Sequence, residues 1–211
     1  MDEHIYLNEE AYAHQLKTAE NRFAPLPLMD GLKLKAKEAG LWNLFVPEEH
    51  AEYCDHGGLS FFDYAPLAEM MGRVIWCPEV FNCNAPDTGN MEVFMNYATE
   101  AQQREWLDPL LAGDIRSSYA MTEPQVASSD ATNVELRIEK SGNEWVLNGH
   151  KWFITNAMYE RTKILIVMGK SDPENPSRHL QQSQILVPKD TPGVKLVRPL
   201  TTPVSYTHLR A

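Results

Sequence analysis

Two short stretches hold side chains suited to a flat ligand with a polar edge. The first is Tyr119-Ala120-Met121-Thr122-Glu123-Pro124-Gln125-Val126-Ala127-Ser128-Ser129-Asp130. It starts like a strand and ends in small polar residues. Hydroxyls and open backbone N–H groups in such a loop can take phosphate or ring oxygens without a full positive charge. A Ser/Asp cluster is also the ordinary material of a turn. The second stretch is Lys151-Trp152-Phe153-Ile154-Thr155-Asn156. Read as a strand, its alternation sets Phe153 and Thr155 on one face. An aromatic ring beside a hydroxyl can hold a flat ring and bond to its edge. A strand with a single buried aromatic is the plainer alternative.

Other chemistries lack their motifs. The chain has no GxGxxG fingerprint and no GxxxxGK[ST] phosphate loop, which disfavours Rossmann and P-loop sites, and no GxSxG elbow appears. The formal charge of −10, from 19 basic and 29 acidic residues, argues against a nucleic-acid partner. Cys54, Cys77 and Cys83 are odd in number and without repeated spacing. They read as free thiols of a reducing compartment, not a disulfide framework or a metal site. The acidic start MDEHIYLNEE is no signal or transit peptide, and no stretch has the apolar length of a membrane span. A cytoplasmic location is expected.

The elements around the two stretches change character near residue 116. Before it, apolar spacing is helical. Asn8 with Glu9 and Glu10 predicts a first helix start. Asp30 predicts the cap of a second helix carrying Leu32, Leu34 and Ala36 and closed by Gly40. Ser60 and Asp63 predict a third, with Tyr64, Leu67, Ala68 and Met71 on one face. Thr99 and Gln102 form a capping box opening a helix with Trp106, Leu107 and Leu110, stopped by Gly113. After it, Val134, Leu136 and Ile138 alternate with Glu135, Arg137 and Glu139, the mark of a half-buried strand. Ser141-Gly142-Asn143 reads as a turn, and residues 144–147 as the returning strand. Asn148-Gly149 is a hairpin-turn signal leading to a strand at 151–155. Further strands are expected at 163–169, 184–187 and 194–197, with 171–182 as a surface loop. Helices first and strands second predict an α+β chain of two domains.

In order and spacing, Tyr119–Asp130 with its Thr122-Glu123-Pro124, the Asn148-Gly149 pair and Phe153–Asn156 resemble the acyl-CoA dehydrogenase family. Phe81-Asn82-Cys83-Asn84-Ala85-Pro86-Asp87-Thr88-Gly89-Asn90 is similar to the subgroup holding family members ten and eleven. The resemblance covers roughly residues 1–203. It implies an N-terminal all-helical domain over 1–116 (short of its first helix if the chain starts internally), a middle β-barrel domain over 117–203, and a C-terminal helical bundle that this sequence lacks. Residues 204–211 read as a non-matching tail, a translated artefact or fusion scar. The resemblance implies noncovalent FAD held by Tyr119, Met121, Thr122, Ser128, Ser129, Phe153, Ile154 and Thr155. Thr122 would bond the pyrimidine side of the ring, Thr155 would lie near N5, and Ser129 would also touch the acyl-CoA. The loop departs from the family by lacking its usual glycines and being one residue longer, and Phe153 stands where the family commonly has Trp.

The implied reaction oxidises the Cα–Cβ bond of a CoA thioester. A carboxylate base takes the α-proton while the flavin accepts the β-hydride, which requires both groups at the same two carbons. In the family that base lies on the bundle, so no catalytic residue and no metal ligand is assigned in this chain, and turnover by it alone is not expected. Electron-transferring flavoprotein is the implied electron acceptor, and the full-length protein is expected to be a homo-oligomer. An acyl-CoA oxidase type of flavoenzyme, and a non-catalytic short form that binds a ligand or partner, stand as alternatives.

Overall fold

The helical spacing of the first half folds as helices in the computed structural model, which describes residues 1–200. The tail at 204–211 lies outside the described residues. The elements are α1 (Glu9–Thr18), α2 (Pro27–Glu38), α3 (Phe61–Gly72), the single turn α4 (Cys77–Val80), α5 (Asp87–Tyr97), α6 (Glu100–Gln102) and α7 (Asp108–Ala112). A π-helical turn, Gln103–Leu107, joins the last two. Two starts follow the caps read from sequence. Ser60 accepts from the Asp63 N–H, and Thr99 with Gln102 closes a full capping box. Gly113 ends α7 in the left-handed region at φ 76°. A Cβ there would lie 2.6 Å from the Trp42 ring, whose Nε1 donates to the Leu111 carbonyl at 2.7 Å.

Two predicted caps do other work. Asn8 begins α1 without a side-chain cap and donates instead to the His4 carbonyl. Helix α2 starts three residues before Asp30, where Pro27 occupies its first turn. A proline fits there because that N–H has no helical acceptor. Asp30 is thereby free to take Arg161 in a two-pronged ion pair, both contacts 2.7 Å. On α3, Met71 alone is buried, and Phe61, Phe62 and Met70 are exposed.

Among the described residues, 1–116 together with Tyr159–Arg161 form one compact unit, and 117–158 with 162–200 form the other. The first unit is centred on Ile5, Val46, Met91, Phe94, Leu107 and Leu110. It also buries an ionic cluster. Arg116 lies 2.8 Å from Glu79, which also holds Lys33 at 2.8 Å, and the Arg116 Nε donates to the buried Asp87. The segment 159–161 is stitched to the same unit by Arg161 and by the Glu160 N–H, which donates to the Phe23 carbonyl at 3.0 Å.

The second unit carries a mixed sheet of five strands: β1 (Arg116–Ala120), β2 (Arg137–Ser141), β3 (Glu144–Asn148), β4 (Thr162–Lys170) and β5 (Gln182–Pro188). Their order is β1-β4-β2-β3, with β5 also on β4. Strands β2 and β3 pair antiparallel from Arg137↔Asn148 to Ser141↔Glu144. Gly142-Asn143 are the two turn residues, and Gly142 alone has positive φ, 60°, as a type II′ turn requires.

Asn148-Gly149 is not a hairpin turn. Asn148 ends β3, and Gly149 is glycine because a Cβ would meet the Leu136 side chain at 2.7 Å. Gly169 lies as close to Leu136, so that buried leucine is clamped between two glycines. Residues 151–155 are not a strand either. Positive φ at Phe153 (53°) and Asn156 (68°) breaks any extended run. Nor is 194–197, which lacks ladder pairing. Among the described residues, no helix is long and apolar enough to cross a membrane.

Candidate functional site

The first stretch leaves β1 and bends at Thr122-Glu123-Pro124. Glu123, 3% exposed, anchors the bend. Its carboxylate accepts from the N–H groups of Glu135 (2.6 Å) and Leu136 (2.9 Å) and from Lys151 Nζ (2.7 Å). Burial pushes this carboxyl up, but the Lys151 hydrogen bond and the two amides outweigh it, so the group titrates below its ordinary range. Burial likewise pushes Lys151 down, against the opposing pull of Glu123. Lys151 Nζ also donates to the Met121 carbonyl at 2.8 Å. One ammonium therefore ties down both neighbours of Thr122, through the Met121 carbonyl on one side and the Glu123 carboxylate on the other.

The same contacts bring the two stretches together. The Trp152 N–H donates to the Thr122 carbonyl at 3.0 Å, and the Thr122 hydroxyl donates to the Trp152 carbonyl. Donation uses the hydroxyl's only proton and leaves its lone pairs to accept from another group. The exposed Trp152 and Phe153 rings stand 4.7 Å apart, centroid to centroid, and are tilted by 56°.

The predicted residues fall into three situations. Tyr119 is half-buried in β1, with its hydroxyl 3.1 Å from Gln184 Nε2 and its titration raised by burial. Ser128 is buried and structural, its Oγ accepting the Glu123 N–H at 2.8 Å. Ile154 packs into the sheet core with Leu136, Leu165 and Val187, so only its backbone faces the second stretch's surroundings. Ser129 and Phe153 are exposed, and Met121, Thr122 and Thr155 half-buried. The alternation that paired Phe153 with Thr155 does not hold, because the segment is not extended. What brings the stretches together is the ladder-like exchange between Thr122 and Trp152.

Lys151 is the residue that sequence reasoning missed. A buried Lys–Glu pair separated by 28 positions has no local spacing to reveal it. The only available signal was a cation directly before two aromatics, a poor place for a solvated charge.

A cavity of about 770 Å³ opens in the second unit beside the second stretch. Core residues Leu136, Ile154, Leu165, Val167 and Val187 line it, and Lys151 and Trp152 reach it from the second stretch. Its lining does not include Thr122, Ser129 or Thr155. Among the described residues, no group of His, Cys, Asp and Glu is arranged to hold a metal ion.

Comparison with known proteins gives the lineage. The acyl-CoA dehydrogenase N-terminal domain model matches residues 6–114, and the middle domain model matches residues 118–211. The chain is 49% identical over 203 residues to acyl-CoA dehydrogenase family member 10 of Mus musculus, spanning 95% of this chain and 19% of that protein. It is 50% identical over 205 residues to family member 11 of Gallus gallus, spanning 95% of this chain and 25% of that one. A solved chain described as an acyl-CoA dehydrogenase of Mycobacterium abscessus superposes with a TM-score of 0.87 at 47% identity, over 95% of this chain and 50% of its own. The chain thus spans half or less of the length of these relatives. With both domain models matched in order, the chain belongs to the acyl-CoA dehydrogenase family.

Proposed function

We propose that this chain supplies the N-terminal and middle-domain share of an FAD-dependent enzyme that oxidises the Cα–Cβ bond of a CoA thioester. The observation carrying the reading is the bonded pair Thr122 and Trp152, which sets the Thr122 hydroxyl beside the exposed Trp152 and Phe153 rings.

These residues fit a flat ring with polar edges. Phe153 offers an apolar face, the Thr122 hydroxyl retains acceptor capacity, and exposed Ser129 offers a hydroxyl at the end of the loop. Met121 and Tyr119 flank the bend, Ser128 holds its shape, and Thr155 and the Ile154 backbone border the other side. Bound there, FAD would supply hydride acceptance from the thioester's β-carbon. The Glu123 carboxylate is committed to three structural donors, the Glu135 and Leu136 N–H groups and Lys151 Nζ, with its charge neutralised by Lys151, and takes no part as a base. The base belongs, on this reading, to residues outside these two domains. Ser129 would also meet the acyl-CoA. Electron-transferring flavoprotein as acceptor, homo-oligomeric assembly of the full-length protein and a cytoplasmic location belong to the same proposal.

Titration of the chain with FAD, followed by visible circular dichroism, tests the site. The expected result is a weak but saturable induced signal, since two domains offer part of an enclosure. Phe153→Ala combined with Thr122→Val should remove it. An identical signal in the double variant would overturn the assignment.

A further inference from the structure

The helical unit contains a second cluster of reactive side chains, remote in sequence from both stretches. Cys54, half-buried, follows a 3₁₀ segment, Glu48–Tyr53. Gly57 and Gly58 then turn the chain back with φ 78° and 79°. A Cβ on Gly58 would lie 2.6 Å from the Glu48 Cα, so the turn is closed tightly on itself. The Leu59 N–H donates to the Val46 carbonyl at 3.0 Å and fixes its far end.

Inside this turn the sulfur of Cys54 accepts the Gly58 N–H at 3.2 Å and lies 3.7 Å from Nδ1 of His56. The other ring nitrogen, Nε2, is 3.1 Å from the Asn43 carbonyl. A carbonyl only accepts, so Nε2 carries the proton and Nδ1 presents its lone pair to the thiol. Asn43 is in turn held rigidly. It is buried, its N–H donates to the Phe81 carbonyl at 3.0 Å, and its Oδ1 accepts from Asn82 at 2.7 Å. The thiol also lies 3.7 Å from the Ala51 carbonyl, which is no base.

The geometry points to Cys54 as a thiol activated by His56 and open to reversible oxidation by small hydroperoxides. A nucleophilic thiol needs a neighbouring base and a donor that steadies the thiolate, and the imidazole and the Gly58 N–H supply them. Hydroperoxide is the matching class because it is small enough for a half-buried sulfur and its leaving oxygen needs a proton. His56 takes the thiol proton as sulfur attacks. The O–O bond breaks, an S–O bond forms, and His56 returns the proton to the departing hydroxide. Sulfur is oxidised by two electrons to the sulfenic acid, and hydrogen peroxide becomes one water in the solvent and one hydroxyl on sulfur. Two equivalents of a low-molecular-weight thiol then restore Cys54, leaving as their disulfide and water.

The test treats the intact chain with hydrogen peroxide, traps sulfenic acid with a cyclic 1,3-diketone, and reads each cysteine by peptide mass spectrometry. The adduct is expected at Cys54, with its rate falling on the order of a hundredfold in His56→Gln, the lower range for a positioned proton transfer. Cys77 and Cys83, both buried, report on folding, since adducts there mark an unfolded variant. In that case the wild-type rate decides, because a Cys54 rate at or below that of glutathione in the same buffer overturns the proposal. So does an unchanged rate in a folded His56→Gln.

Discussion

Replacing Arg116 with Met tests what holds the helical unit together. The guanidinium is 3% exposed. It meets Glu79 at 2.8 Å and the carboxylate of Asp87 through Nε, and the Tyr159 ring lies 5.7 Å from its centre. At 2.8 Å and an effective dielectric of about 20, each such attraction is roughly 6 kcal/mol before solvation. Returning the arginine charge to the unfolded chain's water offsets several kcal/mol of that. The net cost of removing one partner from a buried pair is about 3–5 kcal/mol, while methionine keeps most of the buried stem packing. With a urea slope of about 2 kcal/mol per molar, the helical circular dichroism midpoint should drop by roughly 1.5–2.5 M. The acid limb gives a second reading. Burial raises the Glu79 carboxyl, yet Arg116 and Lys33 overcome this and hold it at about 2, against an ordinary value of 4.5. A carboxyl depressed in the folded state contributes stability above its unfolded value, and this is lost as pH falls from about 4.5 toward 2. The variant should therefore show a flatter loss across that window. A midpoint shift under about 0.3 M, with an unchanged acid limb, would refute the reasoning.

Two further substitutions probe the candidate site and the sheet beneath it. Lys151→Met leaves the buried Glu123 with amide donors only. It should cost about 3 kcal/mol in a thermal melt and weaken the FAD-induced signal, and a full signal would show that Thr122 is placed without the ammonium. Gly149→Ala drives a methyl to within 2.9 Å of the Leu136 backbone and should cost about 1–3 kcal/mol, whereas Gly142→Ala at an open turn meets nothing and differs only through its positive φ.

What the sequence could show depended on the range of the interaction. Ser60 and Thr99 announced their helix starts because a cap acts over three residues. Gly40 and Gly113 announced ends because left-handed backbone suits glycine. The strands expected at 144–147 and 163–169 form at 144–148 and 162–170, and the alternation over 134–139 holds as a burial pattern although the strand itself runs 137–141. The Asn-Gly pair misled because two glycine roles share one letter: a turn needs positive φ, and Gly149 needs absent bulk. The 151–155 segment misled more deeply. Its β-branched and aromatic residues have strand propensity, but the Thr122 exchange and the Lys151 grip, both some 30 positions away, bend it out of the extended region. Propensity is a local preference of about 1 kcal/mol, and a buried ion pair with several charged hydrogen bonds exceeds it.

The same logic explains why the motif Thr122-Glu123-Pro124 is informative as a unit. Thr122 faces outward with lone pairs to spare, Glu123 faces inward and is used up, and Pro124 gives no N–H that would need a partner at the bend. Outward chemistry at one residue is set by inward neutralisation at the next. A substitution at Glu123 should therefore disturb ligand contact as strongly as one at Thr122, though the carboxylate itself points into the protein. The two can be told apart by degree, because losing the buried Glu123 anchor removes three donor contacts and lowers the melting point well beyond the loss of the single Thr122 hydroxyl bond to the Trp152 carbonyl.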